Sequence, residues 1–403
     1  LKMSHSSEEK INQAKQKLKE SEAKLSSDDP ALLSLISGLA ECYQQAGKLE
    51  LAEPLWRRHL SISGKNYGGD HLETATSVNY LAINLSMQHR YSEAAPMYQQ
   101  ALAARRKHLG DAHPEVAKLL NNLGGLLTRT GEYAEAEKLL NRAWEVYQKQ
   151  DMGETSSAAK CLSNLVGVYK ETGRLDLAEH TAEKALNLAQ KLYDEDNPIY
   201  SIMLNNLAAV YSVNHKSDKA VDLLLKGIAL KQHYHDPEHP DLIIYLNNLA
   251  DAYANQHQYS QSEITYRRAL AIGEKRLGKR HPFTGITRMG LGILNGLRND
   301  PVQAEMEFQQ AYSILYESWG GDHPDSAQVK YKHADLLLAE GKLNQAEQAY
   351  LAALAVFERT VGSRHHWVHD ILKKLSQVCF ELGQTEQAEA YLKRSLESTP
   401  QNF

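Results

Sequence analysis

Long apolar runs are missing from this chain of 403 residues. No stretch approaches the roughly 18 uninterrupted apolar residues that a membrane-crossing helix needs, so no membrane insertion is expected. The opening LKMSHSSEEK likewise has no apolar signal-peptide core. Cysteine is scarce, and Cys42, Cys161 and Cys379 stand too far apart to form a metal-ligand spacing. They are expected to be inert, buried small residues in a reducing, cytoplasmic setting. Glycine-rich phosphate loops, a Gly-x-Ser-x-Gly elbow and a Cys-x-x-Cys pair are all missing. No cofactor is therefore expected, and no residue constellation supports an enzyme. Strong charge of one sign is missing too. A formal net charge of −5 gives no bulk attraction to nucleic acid or to anionic lipid.

Valine, isoleucine and phenylalanine are few beside leucine, alanine, glutamate, glutamine and lysine. That balance favours helix over sheet. Hydrophobic residues at 42% and charged residues at 24% suit a folded chain, which at this length needs several domains or a repeat array.

A period of 42 residues decides between them. Stepping from His113 lands on Asp29, His71, Thr155, Asn197, His239, His281, His323 and His365 with no insertion or deletion. Ten residues past each mark stands leucine in every repeat but the eighth, which has His333. Alanine recurs 23 past the mark, as at Ala52, Ala136 and Ala346, and again 30 past, as at Ala101 and Ala143. In repeat three, Pro114 suits a first helical turn because its missing N–H would have had no intrahelical partner. Helix A is expected to run to about Thr130, where Gly131 can take a left-handed conformation and end it. Helix B follows, with Tyr133, Ala136, Leu140 and Ala143 at helical spacing. Small residues at 124, 136 and 143 leave room for a close crossing. One such hairpin cannot bury its apolar faces alone, so neighbours must stack into an all-α solenoid of about nine units.

The recurring Leu–Gly/Ala, Tyr, Gly, Tyr, Ala, Ala pattern resembles the tetratricopeptide repeat. Its 42-residue spacing, with "HPEVAKLLNNLGGLL" and "GEYAEAEKLLNRA", is similar to the variant found in kinesin light chains. The resemblance covers residues 29–398 and implies a right-handed α-solenoid whose A helices line a concave face. Residues 1–28, with Ile11, Leu18 and Leu25 seven apart, are read as a capping helix, and 399–403 as a tail. No dedicated cap is visible at the other end, where a homo-oligomer contact is expected as an alternative.

Paired amides interrupt the apolar run of helix A. The two positions before the repeat leucine hold Asn79/Tyr80, Asn121/Asn122, Ser163/Asn164, Asn205/Asn206 and Asn247/Asn248, and then amides stop. A carboxamide offers two donors and one acceptor oxygen, matching a peptide bond. Two readings follow: a ladder gripping the backbone of an extended peptide, or bonds between adjacent A helices. The resemblance favours the first, since light-chain repeats hold cargo peptides on such residues. By the same resemblance Arg105, Lys118, Asn121 and Asn122 match positions that contact acidic peptide motifs. With Arg129, Lys160 and Lys170 they are expected to form a local cationic groove against a negative chain.

Histidines cluster in "HHWVHD" (His365, His366, His369) and "HYHDPEH" (His233, His235, His239). No metalloprotease carboxylate accompanies the first, and no metal site is assigned to either. The reading that results is a non-enzymatic interaction scaffold for an extended, acidic peptide or protein segment. A self-assembling solenoid, or the sensor part of a larger multidomain signalling protein, is the alternative.

Overall fold

The computed structural model describes residues 2–397 apart from 89, 195, 196, 235, 236, 361 and 364. The expected tail and His235 lie outside the described residues. Among these there are nineteen α-helices and no strand: Lys2–Glu22, then nine pairs from Leu33–Gln45 with Leu49–Tyr67 to His366–Glu381 with Thr385–Glu397. Helix A of repeat three spans Pro114–Thr130 and helix B Tyr133–Lys149, with Gly131 at φ 85° between them. That matches the sequence boundary, because only glycine adopts this φ without a Cβ penalty.

The repeat marks turn out to be helix caps. The Nδ1 of His71 accepts from the Glu73 N–H at 3.1 Å, and that of His113 from Glu115 at 3.1 Å. His281, His323 and His365 repeat the bond to the residue two further on, each at 3.2 Å. Asp29 and Asn197 do it with a side-chain oxygen at 2.9 Å. Helix N-termini leave backbone N–H groups without partners, and these acceptors satisfy one of them. Proline after the mark then fixes the first turn.

The chain divides into two compact units, residues 1–129 with 134–161, and 130–133 with 162–403. In the first, Lys2–Glu22 packs on helix A of repeat one and buries Ile11 and Leu18. Helix crossings are close where side chains are small. A Cβ on Gly124 would come within 2.7 Å of the Leu140 side chain. In the second unit, each A helix from Pro198–Val213 to Pro324–Ala339 touches the next A helix as well as its own partner. The large residue of helix B fills the space between them: Tyr266, Phe308 and Tyr350 are buried, as Trp56 is in the first unit. All of these fall 27 residues past a mark. Burying such rings stabilises by about 2–3 kcal/mol each, which a lone hairpin would forgo.

Candidate functional site

In the first unit the amide pair of repeat three divides its labour. Asn121 is buried, while Asn122 is half-buried and donates from Nδ2 to Asn79 Oδ1 at 3.3 Å. The second unit repeats the geometry. Asn206 donates to Ser163 Oγ at 2.6 Å, and Asn248 to Asn205 Oδ1 at 2.9 Å. Asn205 and Asn247 are buried, and Asn247 accepts from Thr287 Oγ1 at 3.1 Å; Asn164 is half-buried. In these three pairs the second amide reaches back to the first polar residue of the previous repeat, 43 positions earlier. Amides therefore do join neighbouring A helices, as the second sequence reading held. What remains toward solvent is the rest of each half-buried second amide.

The amide run ends at repeat seven. Gly290 takes the second amide position there, and a Cβ on it would sit 2.4 Å from the Tyr266 ring. Further along, hydroxyls and charges join helix B to helix A within a repeat, at Tyr266 and Tyr350, and one A helix to the next, at Tyr331 and Lys374. Tyr266 donates to Asp251 and Tyr331 to Asp370; Tyr350 donates to Asp335 at 2.7 Å, and Lys374 pairs with Asp335 at 3.0 Å. Sequence reasoning missed the bond from helix B to helix A within a repeat. Its signal was present, since Asp251 and Asp335 share one register and Tyr266 and Tyr350 another, each fifteen residues on.

The expected cationic groove is not a set of open charges. Arg105 is buried, bonds Thr76 Oγ1 at 2.9 Å and meets Glu115, which also holds Lys118. Burial alone would raise the Glu115 carboxyl, but Lys118 and Arg105 together hold it below the usual range. Two cations and one anion leave a net +1 at this point. Arg129 and Lys160 are exposed, and neither is ion-paired to a described residue. In the second unit Lys170 pairs with Glu171 at 2.9 Å, which raises the lysine's pKa. Lys170 and Lys332 also act on Asp251, where desolvation by the surrounding repeats outweighs them and pushes the carboxyl up to about 6. Lys231, in the last turn of Ser217–Tyr234, is buried against Asp241 at 3.0 Å.

The histidine cluster is occupied structurally. His365 caps its helix and stacks on Tyr133 with ring centroids 5.1 Å apart, and His369 Nδ1 meets the Ser395 carbonyl at 2.7 Å. Burial pushes the Cys161 thiol up to about 12 and the Cys379 thiol to about 11, far from a reactive thiolate. No described helix is long and apolar enough to cross a membrane.

This architecture defines an α-solenoid interaction protein. Family models of the tetratricopeptide repeat match residues 31–107, 157–233, 201–275, 241–317 and 325–401, and a second model of the same repeat matches 81–151. The chain belongs to the tetratricopeptide repeat family, whose fold is generally a non-enzymatic scaffold for protein–protein interaction. No functionally curated protein matches the chain. Among solved structures, a Rap protein complexed with Competence and Sporulation Factor shares 12% identity at a TM-score of 0.60, covering 89% of this chain and 99% of that one. The apo form of RapI shares 16% at a TM-score of 0.55, over 71% and 98%. BtubC (BKLC) from P. vanneervenii shares 25% at a TM-score of 0.47, over 57% and 92%. The two Rap likenesses speak to the fold alone.

Proposed function

We propose that the chain is a non-enzymatic scaffold that holds an extended, acidic peptide segment along the amide-bearing faces of its A helices. The observation that carries this reading is the row of half-buried second amides, Asn122 in the first unit and Asn164, Asn206 and Asn248 in the second, recurring once per repeat. Asn122, Asn206 and Asn248 each use an amide hydrogen on the neighbouring repeat, which fixes the carboxamide plane in advance. A preorganised polar row loses little entropy when it meets a peptide backbone. The preference for acid rests on Arg129 and Lys160, exposed cations of the first unit with no ion pair to a described residue. Arg105 and Lys118 contribute position more than charge, because Glu115 is already between them. The Rap protein solved with Competence and Sporulation Factor gives the fold a precedent for a guest.

The test is an array of acidic extended peptides and their amidated, neutral counterparts. Wild type should retain acidic members preferentially. Lys160→Glu should lose that preference, and Asn122→Leu/Asn206→Leu/Asn248→Leu should lose retention altogether while keeping its helical circular dichroism. Equal retention by the folded triple variant would refute the amide grip.

A second reading, self-assembly through the last repeat, is favoured by one observation. Phe380, Leu392 and Leu396 are 70%, 47% and 66% exposed, whereas the residues matching Leu392 in the other repeats are buried.

A further inference from the structure

The leucine ten residues past the mark is buried in eight of the nine repeats, Leu291 and Leu375 among them. Repeat eight breaks the frame. His333 stands there instead, with a quarter of its side chain exposed and its ring 5.7 Å from that of Phe308. Beside it opens a cavity of about 400 Å³.

The neighbouring carboxylate explains why the histidine is held. Twenty-four residues past other marks, Glu53, Glu179 and Glu263 reach forward to the turn of the next repeat. Glu53 meets Gln88 at 3.1 Å and Arg90 at 2.6 Å; Glu179 meets Asn214 at 2.7 Å and Lys216 at 2.6 Å; Glu263 meets Arg298. Glu305 holds the same register, but the turn ahead of it carries Glu340 where those repeats have Gln88, Asn214 or Arg298. Lys342, the analogue of Arg90 and Lys216, is held by Glu340 at 3.2 Å. Like charge thus disfavours the usual bond, and Glu305 accepts from His333 Nε2 instead. A carboxylate on Nε2 selects the tautomer with its hydrogen there and leaves Nδ1 as the ring's acceptor.

The walls of the cavity are rings, Phe308, Tyr312 and His333, over an apolar floor that includes Val329 and Leu337, with the Gln348 amide exposed at the rim. Lys330 also lines it, with its ammonium 4.8 Å from the centre of the Tyr312 ring, so its charge already has a partner. We propose that this hollow is a binding site for an aromatic ring carrying an N–H or O–H donor, that is, a phenol or an indole. Aromatic walls favour ring contacts at centroid distances of about 4.5–7 Å. The volume lies within the ~300–1,000 Å³ of ordinary small-ligand sites, and His333, whose Nε2 is fixed on Glu305, offers Nδ1 as an acceptor for the ligand's donor beside the Gln309, Gln345 and Gln348 amides of the lining.

Saturation-transfer NMR on the full chain with p-cresol, indole and cyclohexanol tests it. Transfer to the two aromatic probes is expected, with none to cyclohexanol. His333→Leu restores the residue of the other eight repeats, so it should abolish transfer while melting no lower than wild type. Ala349→Leu fills the same hollow from the opposite wall and should act alike if the first variant does not fold. No transfer to either ring in wild type, or undiminished transfer to a folded filled variant, would overturn the site. The source of the ring is read from acetyl-Ala-Tyr-Ala-amide. Binding tighter than p-cresol points to a tyrosine of a partner protein, and binding no tighter to a free small molecule.

Discussion

Gly290 and Tyr266 pack closely where the amide ladder ends. Sequence shows only that amides stop; the structure shows a tyrosine ring where the next side chain would go, its hydroxyl fastened to Asp251. Gly290→Ala improves helix propensity by about 1 kcal/mol, yet overpacking a close contact costs about 1–3 kcal/mol. The expected outcome is a lower thermal midpoint, measured by circular dichroism; a rise would mean that the Tyr266 ring shifts freely. His59 makes a second point. It occupies an alanine position of the period, is buried against Ser77 Oγ at 2.8 Å, and burial lowers its pKa to about 4. Its folded pKa lies below the unfolded value of about 6.5, so its stabilising contribution is complete above that pH. As pH falls, the unfolded chain takes up the proton first. Stability should drop by about 2 kcal/mol between roughly pH 7 and pH 5 from this residue. His59→Gln should flatten that part of the urea midpoint's pH dependence.

At the scale of the helix, the chain announces its own boundaries. Proline after the mark and glycine at the turn were readable, because each has a backbone preference that no neighbour has to supply. The mark itself was readable as a ruler but not as a cap, since histidine's acceptor role depends on which ring nitrogen is free. His281→Ala should cost about 0.5–2 kcal/mol in urea melts, whereas His281→Asn should recover most of it by supplying a side-chain oxygen, as Asn197 does. Equal destabilisation by both would show that the imidazole acts through packing. The asparagine ladder was only half legible. Register placed the amides one repeat apart, but which member of a pair faces inward follows from helix crossing, and that is a tertiary fact. Asn248→Leu should cost about 1–3 kcal/mol, because it strands the buried Asn205 oxygen.

For the whole molecule, periodicity gave the class of fold because stacking is the only way to bury faces that recur every 42 residues. Charge was less legible. A list of lysines and arginines does not say which carboxylate each will meet, and Glu115 and Glu171 answer for Arg105, Lys118 and Lys170. Self-association is tested at this scale. If the last repeat joins copies, light scattering should show mass rising with concentration, and Phe380→Glu/Leu396→Glu should hold the chain as a monomer. Constant monomer mass in wild type would dismiss the second reading.

The histidine caps carry a consequence for tolerance of mild acid. An imidazole can accept at Nδ1 only while that nitrogen lacks a proton, whereas the Asn197 carboxamide oxygen does not titrate and accepts at any working pH. The fittings are therefore interchangeable in role but not in chemistry, a ring nitrogen at His281 and His365 and an amide oxygen at Asn197. Exchanging histidine for asparagine one mark at a time would let an experimenter set, turn by turn, how sour a medium the coil withstands.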